Sequence, residues 1–110
     1  MSYVDQALAH AARGETRRTQ GIGDLYVCTN PAWPGYSKIG RSVDVARRLY
    51  SYQTASPYRD YEITYTRTFA DIQKAERALK ALIPGLRAKG EWVHIHHDDA
   101  ATLIDSLPAS

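Results

Sequence analysis

The 110-residue chain contains little cysteine, and this scarcity limits the structures that it can form. Cys28 is the single cysteine, so no internal disulfide can close. Its position in an apolar run predicts a small core residue in a reducing compartment. No stretch approaches the roughly 20 apolar residues of a membrane span, and no hydrophobic segment of the signal-peptide kind stands near residue 1. These absences predict a cytoplasmic protein with no membrane partner.

The chain also lacks a strong excess of charge of either sign. Fourteen Lys and Arg residues against twelve Asp and Glu residues give a formal net charge of +2. The protein is therefore no histone-like polycation, and any binding of nucleic acid must depend on where its basic residues lie. The apolar content of 44% is ordinary for a globular protein, and the length allows one compact domain.

Residues 1–23 differ in pattern from the rest of the chain. Apolar side chains at helical spacing predict a short amphipathic helix over residues 3–12. The basic, glycine-bearing sequence RGETRRTQGIG at 13–23 predicts a linker, or an arm that lies along phosphates. Residues 24–110 are expected to form the functional domain.

Four segments of this domain have the composition of β-strands. Three of them cover residues 24–29, 36–41 and 61–69, and the first two form a hairpin across the proline-rich turn NPAWPG. The fourth, EWVHI at 91–95, is a short strand or an extended segment.

Three further helices are predicted between and after the strands. Ser42 is expected to cap the first, which runs to about Gln53, and Asp98 to cap the last. Asp71 begins the middle helix, and its apolar stripe comprises Ile72, Ala75, Leu79, Leu82 and Ile83 before Pro84 and Gly85 stop it. The last helix carries the apolar residues Ala101, Ile104 and Leu107. This order predicts an α+β fold with helices on a small antiparallel sheet.

Basic residues are concentrated in the sequence SKIGRSVDVARRL at 37–49. For Arg41 and Arg47 we expect a solvated position or non-specific contact with DNA phosphates. Arg48 and Tyr52 are four residues apart and share one helical face. Lys38 precedes a glycine that lets backbone or substrate approach closely. Hydrolysis of a phosphodiester needs such cations, together with a metal ion and a base for water.

The order of five short motifs resembles the GIY-YIG nuclease superfamily, in particular the small phage-type branch whose second motif reads KIG. The motifs are DLY at 24–26, KIG at 38–40, ARRL at 46–49, KAERALKAL at 74–82 and GEW at 90–92. The resemblance implies a three-stranded antiparallel sheet flanked by helices. It also implies cleavage of DNA strands with one divalent metal ion, Mg²⁺ or Mn²⁺.

The resemblance implies a role for each matching residue. Tyr26 would orient or deprotonate the attacking water, and Lys38 stands where most members have a second tyrosine. Arg48 would contact the scissile phosphate, and Tyr52 stands where a histidine is common. Glu76 would be the ligand of the metal ion.

Structural roles are alternatives for several of these side chains. Tyr26 could pack in the sheet as a strand aromatic, and Glu76 could pair with Lys80 on a helix surface. Trp33 and Tyr36 could stack on DNA bases or could cap the edge of the sheet.

The segment around the GEW motif contains further candidate ligands. Glu91 is a candidate support for the metal site, whereas Trp92 is expected to anchor the core. In HIHH at 94–97, His94 and His96 project from one strand face, a weak indication of zinc without cysteine or a second cluster.

These patterns together predict a metal-dependent DNA endonuclease of low intrinsic sequence specificity. The alternative is a non-catalytic DNA-binding module of the same fold, and a protein-interaction domain is favoured only by the low net charge. Since no separate targeting domain fits in this length, strong specificity would require a homodimer or a partner protein.

Overall fold

A computed structural model describes residues 21–83, 86 and 92–109, which contain a four-stranded antiparallel sheet and three helices. The strands are β1 (Gly23–Thr29), β2 (Ser37–Ser42), β3 (Glu62–Phe69) and β4 (Trp92–Val93), in the spatial order β3-β1-β2-β4. The helices are α1 (Val45–Thr54), α2 (Ile72–Leu82) and α3 (His97–Asp105). The predicted helix over 3–12, the linker up to residue 20, the helix stop at residues 84 and 85, and Glu91 lie outside the described residues.

The predicted α+β class is confirmed, and the short fourth strand predicted near residues 91–95 is present as β4, whereas the three-stranded sheet that the resemblance implies is wrong. β4 pairs with the start of β2, with Ser37 opposite Val93 and Lys38 opposite Trp92. The buried Ser37 hydroxyl donates a hydrogen bond to the Ile95 carbonyl at 2.8 Å. This bond holds the residues that follow β4 beside β2. Among the described residues only Trp92 and Val93 pair with β2, so β4 is shorter than the predicted segment.

β1 lies at the centre of the sheet, and its side chains alternate between two faces. Leu25 and Val27 join the larger core, which α2 and α3 cover. Tyr26 and Cys28 point to the opposite face, where Val45 of α1 packs against them. The sheet therefore separates a helix-covered apolar face from a face rich in tyrosine.

α1 begins two residues later than its sequence suggested. Asp44, not Ser42, is its N-cap, and the Asp44 carboxylate accepts a hydrogen bond from the Arg47 amide at 3.0 Å. Ser42 still belongs to β2, and its hydroxyl accepts from the Asp44 amide at 3.0 Å. Ser42 thus shapes the turn that brings the stronger, charged cap into place.

α2 follows the predicted stripe except at its end. Asp71 is the N-cap, and Ile72, Ala75, Leu79 and Ile83 are buried as expected. The prediction for Leu82 is wrong, since its side chain is 46% exposed. The helix ends at Leu82, and the extended Ile83 turns back into the core in its place.

α3 begins at His97 because its N-cap is His96 and not Asp98. The ring Nδ1 of His96 accepts a hydrogen bond from the Asp98 amide at 3.1 Å. Ile104 and Leu107 are buried as predicted, whereas Ala101 is only half-buried and Ala100 fills the core position.

Within the described residues, no helix has both the length and the apolar character that crossing a membrane requires.

An arginine from β3 ties the end of α3 to the sheet. Arg67 Nη1 donates to the carbonyls of Ile104 at 2.8 Å, Asp105 at 3.2 Å and Leu107 at 2.9 Å. Its guanidinium also lies 4.6 Å from the centre of the Phe69 ring. The carbonyls at the end of a helix lack partners within the helix, so this side chain satisfies groups that burial would otherwise penalise.

We expect Arg67→Met to lower the free energy of unfolding by about 1.5–3 kcal/mol, the range for hydrogen bonds made by charged groups. Methionine keeps a long apolar side chain but removes the donors and the guanidinium that lies over the Phe69 ring. Urea denaturation measures the change. Arg77→Met, at an exposed position of α2, is the control and should change stability by less than about 0.5 kcal/mol. Equal losses in both variants would contradict a capping role for Arg67.

Candidate active site

Tyr26 is the best-packed of the candidate catalytic residues. Its side chain is buried, and its hydroxyl lies 2.6 Å from the Tyr52 hydroxyl of α1. Gly40 stands directly opposite Tyr26 in the β1–β2 pairing. A Cβ at Gly40 would come within 2.6 Å of the Tyr26 oxygen and 2.8 Å of its Cζ. The Tyr26 ring therefore crosses β2 over a position where only glycine leaves room.

The environment of Tyr26 keeps its phenol protonated. Burial raises the pKa of Tyr26 far above its ordinary value of 10.0, and the hydrogen bond with Tyr52 adds to this effect. The positive charge of Arg48 acts in the opposite direction but is outweighed. Of the two predicted roles, orientation of water is therefore favoured over its deprotonation.

Lys38 lies beside the tyrosine pair. Its ammonium group is 4.5 Å from the centre of the Tyr52 ring and 5.9 Å from that of Trp92. Both distances are within the range of cation–π attraction. No carboxylate among the described residues forms an ion pair with Lys38, so its charge is available to an anionic ligand.

Three arginines line one cavity of about 450 Å³ where β2 leaves the sheet and α1 begins. Arg41 comes from the end of β2, and Arg47 and Arg48 come from α1. Arg47 also approaches Asp44 at 4.0 Å, whereas Arg48 has no ion pair within the described part of the chain. The cavity is suited to a phosphate group, because oriented guanidinium groups bind phosphate oxygens through paired hydrogen bonds.

Glu76 is connected to the arginine-lined cavity through Arg41. It belongs to α2, which covers the face of the sheet opposite Tyr26, and its nearest charged neighbours are Arg41 and Lys80. Arg41 Nε is 3.4 Å from one carboxylate oxygen, and Lys80 Nζ is 3.4 Å from the other. The surface pairing with Lys80 is thus present, but Glu76 is also buried and joined to Arg41. Among the described residues, no hydrogen bond or ion pair joins Glu76 to Tyr26, Lys38 or Arg48.

The two aromatic residues of the turn between β1 and β2 have different surroundings. Trp33 is 55% exposed and is tilted against Trp92 at 6.4 Å between ring centres. Tyr36 stacks on His94 at 4.8 Å, with 26° between the ring planes. Trp92 is only half-buried and belongs to neither core cluster, so the expected core anchor lies instead beside Lys38.

His94 and His96 of the HIHH segment do not form one cluster, although strand alternation predicted that they share a face. His94 stacks on Tyr36, while His96, His97 and Asp98 bring possible ligand atoms within 4.8 Å of one another. His96 Nδ1 is already used as the cap of α3, at a helix end whose partial positive charge disfavours a cation.

Sequence reasoning missed two residues near the candidate site. Asp24 is a buried carboxylate on the Tyr26 face of β1, and it accepts a hydrogen bond from the Thr68 hydroxyl at 2.6 Å. The sequence signal that could have identified Asp24 was an acidic residue inside an otherwise apolar strand. Tyr61 packs against Tyr52 with 5.4 Å between ring centres, and the Gln53 side chain binds its backbone N–H and C=O. No sequence spacing indicated this contact.

Cys28 is fully buried and forms no disulfide, which confirms its expected place in the core. Burial raises the pKa of its thiol to about 11, so the thiolate is scarce at neutral pH. Cys28 is therefore a packing residue.

We expect Tyr26→Phe to reduce the loss of stability at alkaline pH. The unfolded phenol ionises near pH 10.0, whereas the folded one stays protonated, so unfolding releases a proton and stability falls as pH rises above that value. The free energy of unfolding of the wild type should therefore fall by up to about 1.4 kcal/mol more per pH unit than that of the variant. Urea denaturation at pH 8 and about pH 10.5 tests this.

Tyr58→Phe is the matched control, because Tyr58 is 84% exposed. It should follow the wild type at both pH values. Identical alkaline losses in the wild type and Tyr26→Phe would show that the Tyr26 phenol ionises as readily in the folded chain as in the unfolded one.

Comparison with known proteins gives one family match. The model of the T5orf172 domain matches residues 23–107, which is most of the chain and includes all four strands and all three helices. No curated protein and no solved structure matches this sequence.

Proposed function

Because the chain belongs to the T5orf172 domain family, we propose that it is a metal-dependent DNA endonuclease that hydrolyses phosphodiester bonds with low sequence specificity. The phage-associated, nuclease-like character of this family supports the proposal. The observation that carries it is the hydrogen-bonded pair of Tyr26 and Tyr52 beside Lys38, with the charge of Arg48 acting on Tyr26. Three separate elements bring these four residues of the GIY-YIG-like motifs together on one face.

In this proposal, the scissile phosphate binds between the arginine-lined cavity and the tyrosine pair. Arg48 contacts the phosphate, and Arg47 contacts the neighbouring backbone. Contacts of this kind are independent of base sequence, since every nucleotide carries the same phosphate. Specificity for a DNA sequence would then come from a second copy or a partner protein.

The tyrosine pair would orient the attacking water. Each phenol has one proton, and the hydrogen bond between the hydroxyls uses one of the two. The second proton remains free to point at a water molecule or a phosphate oxygen. Because Tyr26 is buried and Tyr52 only half-buried, we assign the outward hydroxyl to Tyr52 and a positioning role to Tyr26. The Lys38 ammonium would stabilise the negative charge that develops on the phosphate.

Glu76 fits the donor chemistry of a Mg²⁺ or Mn²⁺ site. Mg²⁺ is commonly held by one or two carboxylates together with substrate phosphates. Both oxygens of Glu76 face cations, so Arg41 and Lys80 must turn toward DNA before the carboxylate can act as a ligand. When bound, the ion would neutralise charge on the phosphate and on the leaving oxygen. Metal binding in this proposal therefore depends on DNA.

The ion pairs of Glu76 also favour a second candidate, a DNA-binding module that does not cleave. In that case Glu76 serves only to hold Arg41 and Lys80 in place. The arginine-lined cavity would bind phosphates in the same way, and metal would have no effect. Nicking of supercoiled plasmid with Mg²⁺, Mn²⁺ or EDTA separates the two candidates.

We expect Glu76→Gln to abolish plasmid nicking and to tighten DNA binding in EDTA. Glutamine keeps the size of the side chain but cannot neutralise Arg41 and Lys80, which become available to phosphates. The slope of log affinity against log salt should steepen by up to about 1.8, since each phosphate contact contributes about 0.9. Nicking assays and salt titrations of duplex binding measure the two effects.

Asp99→Asn is the control for loss of one negative charge, because Asp99 lies exposed on α3, away from the cavity. It should leave both nicking and the salt slope unchanged. Wild-type nicking by Glu76→Gln would remove Glu76 from the active site. A wild type that nicks under no metal would favour the non-catalytic module.

We expect Arg48→Ala to reduce the slope of log affinity against log salt concentration by about 0.9 for duplex binding, because one phosphate contact is lost. Arg77→Ala removes the same charge from an exposed position of α2 that does not line the cavity, and it should retain the wild-type slope. Fluorescence anisotropy over a range of salt concentrations measures both. Equal slopes for the two variants would exclude Arg48 from the phosphate site.

A further inference from the structure

A series of aromatic rings leads from the tyrosine pair to the protein surface. Tyr52 is 5.4 Å from Tyr61, Tyr61 is 6.3 Å from Trp92, and Trp92 is 6.4 Å from Trp33, measured between ring centres. These spacings are typical of interacting aromatic rings. We call these four residues the aromatic series. Its outer end, Trp33, is 55% exposed.

The loop that carries Trp33 is braced by its own hydrogen bonds. Asn30 accepts from the Ala32 amide at 2.9 Å through its side chain and from the Trp33 amide at 2.9 Å through its carbonyl. The Asn30 amide group donates to Asp60 at 3.0 Å. A braced loop that keeps a tryptophan in water forgoes the stabilisation of burying a large apolar side chain. The Trp33 ring is therefore held in a fixed place with about half of its surface open to a ligand.

The charges around the aromatic series are distributed unevenly. The Lys38 ammonium is closest to the inner end, 4.5 Å from the centre of the Tyr52 ring, and is 5.9 Å from that of Trp92. At the outer end, Glu62 lines the same small cavity as Trp33. A phosphate group is repelled by this carboxylate, whereas a neutral nucleobase is not. The outer end is therefore suited to a base and the inner end to its phosphate.

We propose that Trp33 and Trp92 bind an unpaired nucleobase beside the scissile phosphate, so that the preferred substrate is single-stranded or locally unpaired DNA. Stacking on a side chain requires an exposed face of the base, and continuous duplex DNA buries both faces of every base except at its ends. The inference deepens the proposed function and rests on it for the identity of the ligand as DNA. It adds the state of the strand that the site recognises.

The test uses one DNA sequence with a 2-aminopurine base in three forms: single-stranded, bulged from a duplex, and fully paired. Binding is measured in EDTA, so no cleavage is required. The wild type should bind the first two forms more tightly and quench their fluorescence, because the fluorescent base stacks on Trp33 or Trp92. Trp33→Ala should weaken binding of the unpaired forms roughly 5- to 150-fold, the equivalent of the stacking contribution of one base.

Three variants separate stacking from loop structure. Trp33→Leu keeps apolar bulk without a π-face and should behave like Trp33→Ala, whereas Trp33→Phe should restore part of the affinity. Tyr58→Ala removes another exposed aromatic, outside the aromatic series, and should bind as the wild type does. Binding of the fully paired duplex should be the same for all of them.

The outcomes distinguish this inference from the proposed function. Equal affinity of the wild type for the three DNA forms, or equal weakening of all three by Trp33→Ala, would overturn the inference. Plasmid nicking without a preference for unpaired DNA would contradict the inference alone. Preference for unpaired DNA without nicking under any metal would support the inference and contradict only the endonuclease proposal.

Discussion

The packing of the Tyr26 ring over Gly40 is the constraint on which the arrangement of the site depends. Tyr26 stands opposite Gly40 in the sheet, and only the missing side chain lets the ring pass over β2. The hydroxyl can then reach Tyr52 on α1 and join the helix to the sheet. This join fixes the face of α1 that carries Arg48. A glycine that would otherwise weaken a strand therefore determines where β1 and α1 meet.

The small net charge conceals an unequal pairing of the basic residues. Arg41 and Lys80 share the Glu76 carboxylate, and Arg47 lies near Asp44. Within the described residues, Lys38 and Arg48 have no carboxylate partner. Both also lie close to the tyrosine pair: the Lys38 ammonium is 4.5 Å from the centre of the Tyr52 ring, and the charge of Arg48 acts on Tyr26. The placement of charge thus matters more here than its sum.

Local patterns predicted the elements of this fold better than their ends. The composition typical of β-strands located the three long strands, and helical periodicity located all but one member of the α2 stripe. The caps of α1 and α3 were misassigned because Ser42 and Asp98 each lie within two residues of another capping side chain. Which of two neighbouring side chains caps a helix depends on the direction from which the chain enters the helix. That direction is set by tertiary packing. The short β4 likewise depends on its partner strand.

The candidate site divides in the same way between local and long-range determinants. Motif spacing predicted Tyr26, Lys38 and Tyr52 as functional residues, and these do lie together. The aromatic series and the ion pair of Glu76 with Arg41 join residues that are far apart in sequence, so no spacing indicated them. Strand alternation alone separates Lys38 from Arg41, since residues three apart in a strand leave it on opposite faces. Which helix meets each face is decided by the packing of the whole sheet, which brings Tyr52 to Lys38 and Glu76 to Arg41.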